Sequence, residues 1–141
     1  MKYLLDTNVI SELRKSNCNQ SVKSFATEIP WDNFYLSVIT MGELCYGIEK
    51  LPNRKKKHEL SVWLYSKVPQ WFNRRIISLD TEVLLEWGKI RAETAITGRT
   101  LPVMDTLIAA AAITHRMILV TRNIKDFDGI EGLNLLNPWE F

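Results

Sequence analysis

The chain has 141 residues, of which 46% are hydrophobic and 24% are charged, and its formal net charge is +2. This length suits one domain, residues 1–141, which can bury enough surface to fold without disulfides or a structural metal. The small net charge excludes binding of nucleic acid through a global basic field, so such a signal has to be local. No apolar run reaches the ~20 residues that span a bilayer, and no signal peptide is visible. We therefore expect a cytoplasmic protein with no membrane partner.

The N-terminal half alternates between strand and helix patterns. Apolar residues run straight into Asp6, and the helix that follows is predicted to be capped by Thr7 or Asn8. Pro69 is predicted to end or kink the last helix of this half. In chain order the elements are strand 2–5, helix 9–14, helix 22–29, strand 34–39, helix 40–51 and, after the basic run "RKKKH", helix 59–72.

The C-terminal half continues the alternation. Asp80 or Thr81 caps a long helix that Gly98 ends, and Pro102 opens an alanine-rich helix. The elements in order are strand 75–79, helix 81–97, helix 102–115, strand 117–121 and strand 134–136. Strands alternating with helices predict a three-layer α/β/α domain with a central parallel β-sheet.

Several polar residues follow predicted strands or open the helices after them. They are Asp6, Glu43, Asp105, Asn123 and, three residues later, Asp126. In open α/β sheets ligands bind outside the carboxyl ends of the strands, so these side chains can face one cleft. A cluster of carboxylates repels itself, and a hard divalent cation such as Mg²⁺, which prefers oxygen ligands, resolves the repulsion.

Each acid also has a purely structural explanation. Asp6 can cap a helix, Thr40 and Glu43 fit the S/T-x-x-E capping box, and a helix macrodipole favours Asp105 by ~0.3–1 kcal/mol. Asp80 is interpreted as a helix cap only. Asp105 is the hardest to explain in this way, because its helix is almost wholly apolar and a buried carboxylate is costly unless it is paired or binds a metal.

The other residue types and motifs of the chain limit the possible catalytic mechanisms. The only two histidines, His58 and His115, make catalysis by a histidine pair through a ribose 2′-hydroxyl an unfavourable explanation. The chain has no Walker-type phosphate loop and no G-x-S-x-G elbow. A metal site that polarises a phosphodiester and lowers the pKa of a bound water fits the acids better.

Four segments resemble, in order and spacing, the four motifs of PIN-domain ribonucleases, most closely the VapC-type toxins of bacterial toxin–antitoxin pairs. They are "LLDTNVISEL", "TMGELCYGI", "PVMDTLIAAAA" and "LVTRNIKDF". The resemblance implies a parallel sheet with helices on both faces and an endoribonuclease site that depends on Mg²⁺ or Mn²⁺. It assigns the first three acids to Asp6, Glu43 and Asp105.

The fourth motif departs from the family pattern. The family usually has an acid two residues after the threonine, here Thr121, and this chain has Asn123 there. Asp126 can supply the missing charge if the loop turns it inward. The resemblance also implies that Thr121, and similarly Asn8, hydrogen-bonds a catalytic carboxylate.

Partners follow from the same resemblance. It implies an RNA substrate, a homodimer, and a VapB-type antitoxin that covers the active-site groove in a larger assembly. Basic residues that can contact an RNA backbone, or merely coat a solvated helix and loop, are Arg54, Lys55, Lys56, Lys57, Arg91 and Arg99.

Two other functions stay open at this point. One is a PIN-fold module that binds antitoxin or RNA without cutting, because the fourth ligand is weakened at Asn123. The other is a phosphotransferase with Asp6 as nucleophile, although Asn8 stands where a second acid belongs and no lysine partner is evident.

Overall fold

The computed structural model, which describes residues 1–141, is built around a five-stranded sheet in the order β3-β2-β1-β4-β5. Every neighbouring pair of strands is parallel. The strands are β1 (Tyr3–Leu5), β2 (Phe34–Ser37), β3 (Ile76–Ile77), β4 (Ile118–Val120) and β5 (Leu135–Leu136). The predicted α/β/α fold with a parallel sheet is confirmed.

Helices connect the strands. They are α1 (Thr7–Leu13), α2 (Gln20–Glu28), α3 (Val38–Glu49), α4 (Arg54–Val62), α5 (Val68–Trp71), α6 (Thr81–Ile96) and α7 (Val103–Thr114). A π-helical turn over Trp63–Lys67 joins α4 to α5 just before Pro69, where the prediction had a break or kink. None of these helices combines the length and apolar character that crossing a membrane requires.

Helix caps differ from the sequence prediction at two places. Asp6 itself caps α1, in place of Thr7 or Asn8, and its side chain accepts from the N–H of Thr7. Ser37 caps α3 by accepting from the N–H of Thr40 at 3.3 Å, so the capping box of Thr40 and Glu43 does not form. The helix starts earlier than predicted because β2 ends at a serine that can take this role. Glu43 is thereby left without the capping role that the sequence offered.

The start of α4 also corrects the prediction. The side chain of Asn53 accepts from the N–H of Lys56 at 3.1 Å, and the helix begins at Arg54. The basic run is therefore the first turn of a helix. Asp80 caps α6, as predicted, by accepting from the N–H of Val83 at 3.0 Å.

Two apolar clusters, one on each face of the sheet, hold the strands in place. Leu4 and Leu119 pack with α6 and α7, whereas Leu5 and Val120 pack against the layer that contains Phe25. All five are fully buried. Successive strand residues point to opposite faces, so β1 and β4 are fixed from both sides and present rigid carboxyl ends.

Candidate active site

Asp6 follows β1 directly, and both oxygens of its carboxylate accept hydrogen bonds. Oδ1 accepts from the N–H of Thr7 at 2.8 Å, and Oδ2 accepts from the hydroxyl of Thr121 at 2.9 Å. The amide of Asn8 is a longer donor to Oδ2, at 3.4 Å. Thr121 is completely buried at the end of β4. The contacts predicted for Thr121 and Asn8 are confirmed, and Asp6 is pinned between two central strands.

Asn8 ties the two motifs together. Its Nδ2 donates to the hydroxyl oxygen of Thr121 at 3.3 Å, and its Oδ1 accepts from the backbone N–H of Arg122 at 3.2 Å. The N–H of Asn123 donates to the same threonine oxygen at 3.1 Å. The loop after β4 is therefore locked to the start of α1.

Glu43 projects from α3 on the exposed side of the cleft. Its Oε1 accepts a hydrogen bond from the hydroxyl of Thr7 at 2.6 Å, across 36 residues of sequence. Thr7 also contacts the hydroxyl of Thr40, at 3.3 Å. Sequence reasoning assigned Thr7 only to a helix cap, and the one signal that could have identified it is a hydroxyl directly beside Asp6.

Asp105 lies in the first turn of α7, and no hydrogen bond holds its side chain. Its pKa is raised to about 6, first by burial and then by the negative charges of Asp6, Asp126 and Glu43. The residue is only half-buried, because the first turn of α7 lies at the surface and Met104 is 52% exposed. The expectation of a fully buried carboxylate was therefore wrong, and like charge contributes to the shift.

The pKa of Asp6 is raised as well. Burial is the main cause, and it outweighs the hydrogen bonds from Thr121 and Thr7 that lower the pKa. The charges of Glu43 and Asp126 raise it further. Electrostatically, then, four carboxylates act on one another at the carboxyl edge of the sheet.

Asn123 and Asp126, the two candidates for the fourth position of the site, differ in how they reach the other acids. Asn123 is exposed and its contact to the site is made by the backbone N–H. Asp126 is also exposed, in a short 3₁₀ turn over Ile124–Phe127, and the N–H of Asp126 bonds to the carbonyl of Asn123. The predicted single turn from Asn123 to Asp126 is thus present. The charge of Asp126 reaches both Asp6 and Asp105.

The donor set suits a hard cation better than a soft one. The side chains at this edge offer carboxylate, amide and hydroxyl oxygens, which Mg²⁺ and Mn²⁺ prefer. Burial is the main cause of the raised pKa of Asp105, and the negative charges of Asp6, Asp126 and Glu43, which a divalent ion would offset, raise it further. In this structure no group of three Asp, Glu, His or Cys side chains lies close enough together to hold a metal ion. The chemistry of the donors fits a metal, and ligation requires the carboxylates to converge.

The basic candidates have different surroundings. Arg54, Lys55 and Lys56 are exposed on α4, whereas Lys57 pairs with Glu49 at 3.3 Å. These residues lie on the surface at the start of a helix, which leaves both of their predicted explanations open.

The two arginines around α6 differ from each other. The guanidinium of Arg91 lies 5.7 Å from the ring centroid of Trp87. Arg99 donates to the carbonyl oxygen of Asp128 and packs against Gly129, which has a φ of +81°. Arg99 therefore makes a contact within the protein, and its role as a contact for RNA stays a prediction.

Two grooves flank Glu43. The first, of about 570 Å³, is apolar and is lined by Val38, Tyr46 and Met104 among others. The second, of about 280 Å³, lies on the α1 side and is lined by Thr7, Arg14, Leu60 and Trp63 among others. The acidic edge is therefore bordered on both sides by surfaces that can receive a partner.

Comparison with known proteins agrees with this arrangement. The family model described as "PIN domain" matches residues 3–133. A relative named VapC ribonuclease Y4jK, from Sinorhizobium fredii, is 31% identical over 97% of this chain and 97% of its own length. Toxin FitB from Neisseria gonorrhoeae is 34% identical, over 96% of this chain and 97% of its own. The crystal structure of FitAcB from the same organism superposes with a TM-score of 0.91, at 33% identity and 99% coverage of both chains. The chain therefore belongs to the PIN-domain family and is related over its whole length to the VapC-type toxins.

Proposed function

We propose that the protein is a metal-dependent endoribonuclease and the toxin of a toxin–antitoxin pair. The observation that carries this is the set of carboxylates at the carboxyl edge, whose mutual repulsion helps to raise the pKa of Asp105 to about 6. The relative named VapC ribonuclease, similar over its full length, supports RNA as the substrate.

In this proposal Asp6, Glu43 and Asp105 hold Mg²⁺ or Mn²⁺, and Asp126 contributes the fourth negative charge. An ion held there would supply positive charge beside the phosphodiester and would lower the pKa of a water. Thr121 orients Asp6 by its hydrogen bond to Oδ2, and Thr7 does the same for Glu43 through Oε1.

The proposed cut leaves a 5′-phosphate and a 3′-hydroxyl, since water attacks in place of a ribose hydroxyl. The positions of the histidines favour this outcome. His58 lies on α4, and His115 caps the far end of α7, away from Asp105 in its first turn. Neither histidine is among the side chains that contact the acids, so a proton relay through imidazole has no support.

The direct test is incubation of the purified protein with a labelled single-stranded RNA, with Mg²⁺ or with a chelator. We expect cleavage with Mg²⁺ only, and fragments that a 5′-phosphate-dependent exonuclease degrades. Cleavage at the same rate in the chelator, or fragments with cyclic phosphate ends, would contradict the proposal.

The proposed partner is a VapB-type antitoxin, in keeping with the toxin names of the relatives. Its place would be the groove beside Thr7, Arg14 and Trp63, with a basic side chain against the acids. A guanidinium can engage a carboxylate in a bidentate pair. We expect saturating antitoxin to weaken Mg²⁺ binding and RNA cleavage together, and if both are unchanged the groove is misplaced.

We also propose a homodimer, formed through the apolar groove on the other side of Glu43. Val38, Tyr46 and Met104 are 39%, 65% and 52% exposed there, a clustering of apolar surface typical of interfaces. Light scattering should give the mass of two chains, and Tyr46→Lys should shift it toward one. Binding of antitoxin then gives a larger assembly.

A second candidate function is a module that binds RNA or antitoxin without cutting. It is favoured by the neutral Asn123 and by the absence of three acids placed to hold an ion. The same RNA assay decides, because this candidate predicts binding with no Mg²⁺-dependent cleavage. A phosphotransferase is less well supported, because Asn8 stands where a second acid belongs and no lysine partner is evident.

A further inference from the structure

Arg122 is a basic residue beside the acids to which sequence reasoning gave no role. It lies between Thr121, which holds Asp6, and Asn123 in the fourth motif. Its backbone N–H donates to Oδ1 of Asn8 at 3.2 Å. Because Asn8 also contacts Asp6 and Thr121, the Cα of Arg122 has a fixed position at the rim of the site.

The side chain of Arg122 is held as well. Its guanidinium lies 4.9 Å from the ring centroid of Trp139, within the range of a cation–π contact. Trp139 lies in a short 3₁₀ helix that Asn137 caps at 3.0 Å, and it packs against the apolar cluster that contains Leu5. A cation–π contact leaves the guanidinium N–H groups free, and none of them donates a hydrogen bond within the protein. The arginine is therefore pre-oriented without its donors being used.

No acid neutralises Arg122. The ion pairs of the protein are Lys15 with Glu12, Lys57 with Glu49, and Arg75 with Asp32. The charge of Arg122 contributes only weakly to the environment of Glu12, after Lys15. By contrast, the guanidinium of Arg99 is bound to the carbonyl of Asp128. Arg122 is thus an exposed cation with free donors.

Arg122 also stands outside the acidic cluster. The groups that shift the pKa of Asp6 and Asp105 are acids, burial and hydrogen bonds, and no basic side chain is among them. Arg122 does not neutralise the carboxylates, so it does not take the place of a metal. Its backbone follows Thr121, whose hydroxyl donates to Asp6.

We propose that Arg122 binds a backbone phosphate of single-stranded RNA that flanks the scissile one, an inference that rests on the proposed function. Guanidinium groups match phosphate oxygens bidentately, and a side chain already ordered by stacking loses less entropy on binding. Arg122 then draws an anionic strand toward an edge that would otherwise repel it, and it sets the position of the chain on one side of the cut.

The test measures RNA binding without cleavage. The parent is Asp105→Asn, which removes a proposed ligand while leaving every hydrogen bond around Asn8 in place. The probe is a labelled single-stranded RNA of mixed sequence, and the dissociation constant is measured from low to moderate salt. In this background Arg122→Gln is compared with Arg122→Lys, and with Arg116→Gln as the matched control. Arg116 is exposed between α7 and β4, at the opposite edge of the sheet.

We expect Arg122→Gln to weaken binding about tenfold and to lower the slope of log K against log salt by about 0.7, the value for one phosphate on a single strand. Arg122→Lys should keep the slope with weaker binding, because it retains the charge without the planar fork. Arg116→Gln should match the parent, and melting temperatures should be equal throughout.

Three results would overturn this inference alone. One is RNA binding by Arg122→Gln with the slope of the parent, and the other is an equal loss in Arg116→Gln, which would reveal a general effect of charge. Loss of the slope in Arg122→Lys as complete as in Arg122→Gln would also contradict an ionic contact. If the parent bound no RNA at all, the proposed function would fail together with the inference.

Discussion

Asp6 and Asp105 face the same edge of the sheet, yet the protein holds them in opposite ways. Asp6 accepts hydrogen bonds on both carboxylate oxygens, caps α1 and is tied to the buried Thr121. Asp105 has no hydrogen-bond partner, and burial and like charge raise its pKa to about 6. One acid is part of the architecture, whereas the other is placed by its helix alone.

Because of this difference, substitutions at Asp6 and at Asp105 should differ in how far they affect stability as well as function. A substitution at Asp6 mixes lost function with a lost cap and an orphaned hydroxyl, because the same atoms serve both. At Asp105 the carboxylate has no hydrogen-bond partner, and the macrodipole of α7 is the one structural explanation left for it. Variants of Asp105 are therefore the cleaner probe of the proposed chemistry.

The largest expected effect is on cleavage. Asp105→Asn keeps the shape of the side chain and removes its charge, and we expect at least about a hundredfold slower RNA cleavage in Mg²⁺, comparable to removing one preorganised electrostatic contact elsewhere. The fold should be intact by circular dichroism. A rate near that of the wild type would remove Asp105 from the site and leave the comparison with Asp6 purely structural.

The second prediction tests whether the hydrogen bonds of Asp6 stabilise the fold, as the contrast with Asp105 requires. Asp6→Ala loses the cap of α1 and leaves the buried hydroxyl of Thr121 without its acceptor, whereas Asp6→Asn keeps one acceptor oxygen and can retain one of the two bonds. We expect the free energy of unfolding of Asp6→Ala to be lower than that of Asp6→Asn by about 1–2 kcal/mol.

The matched pair is Asp105→Ala against Asp105→Asn, whose free energies of unfolding should agree within about 0.5 kcal/mol, since no hydrogen bond is at stake. Urea denaturation of the four variants measures both differences. Equal differences at the two positions would show that the hydrogen bonds of Asp6 contribute nothing particular to stability.

The sequence predicted the ends of the strands well, because they are marked by local patterns. Apolar runs ending in Asp6 and Thr121, and a proline before Asp105, were enough to place two acids and a threonine at one edge. Caps were predicted less well. Ser37 competes with Thr40 for the start of α3, and which one prevails depends on where β2 leaves the sheet, which is set by packing and not by the motif.

Contacts between distant segments could not be predicted from the sequence. The bond from Thr7 to Glu43 spans 36 residues, and the stacking of Arg122 on Trp139 depends on where the C-terminal turn lies. The commitment of Arg99 to Asp128 was equally hidden, since a basic residue in a loop looks the same whether it faces solvent or a carbonyl. Side-chain partners of this kind exist only once the layers have packed.

The dependence of stability on pH tests the difference between Asp105 and Asp6, because the raised pKa of Asp105 fixes the direction of the change. The folded protein binds the proton of Asp105 up to about pH 6, whereas the unfolded chain releases it near its ordinary pKa of 3.8. Between these values the folded state holds more protons, so this group makes stability fall as pH rises and has no further effect above pH 6.

A shift of this size corresponds to about 3 kcal/mol, and the exposure of Asp105 reduces the expected loss to about 1 kcal/mol. Thermal unfolding of the metal-free protein across this window should therefore show a decline that Asp105→Asn lacks. Parallel pH profiles for the two proteins would mean that Asp105 is not destabilised in its charged form.

The smallest expected effect concerns the fourth negative charge. The charge of Asp126 reaches both Asp6 and Asp105, although its side chain is exposed, whereas Asn123 occupies the position of the family acid and brings no charge. Mg²⁺ sheds water reluctantly and needs carboxylate charge in compensation. We expect Asp126→Ala to raise the Mg²⁺ concentration for half-maximal cleavage about threefold, and Asn123→Asp to lower it by a similar factor.

Asp128→Ala is the matched control, because it removes an exposed acid two residues from Asp126 that contributes to neither raised pKa and leaves the carbonyl that Arg99 contacts. If Asp126→Ala kept the Mg²⁺ dependence of the wild type while Asn123→Asp changed it, the fourth position would belong to Asn123 alone. Equal shifts in Asp126→Ala and Asp128→Ala would instead indicate a general effect of surface charge. A change in Mg²⁺ dependence that is confined to Asp126→Ala would show that the 3₁₀ turn after β4 supplies the fourth negative charge beside Asp6 and Asp105.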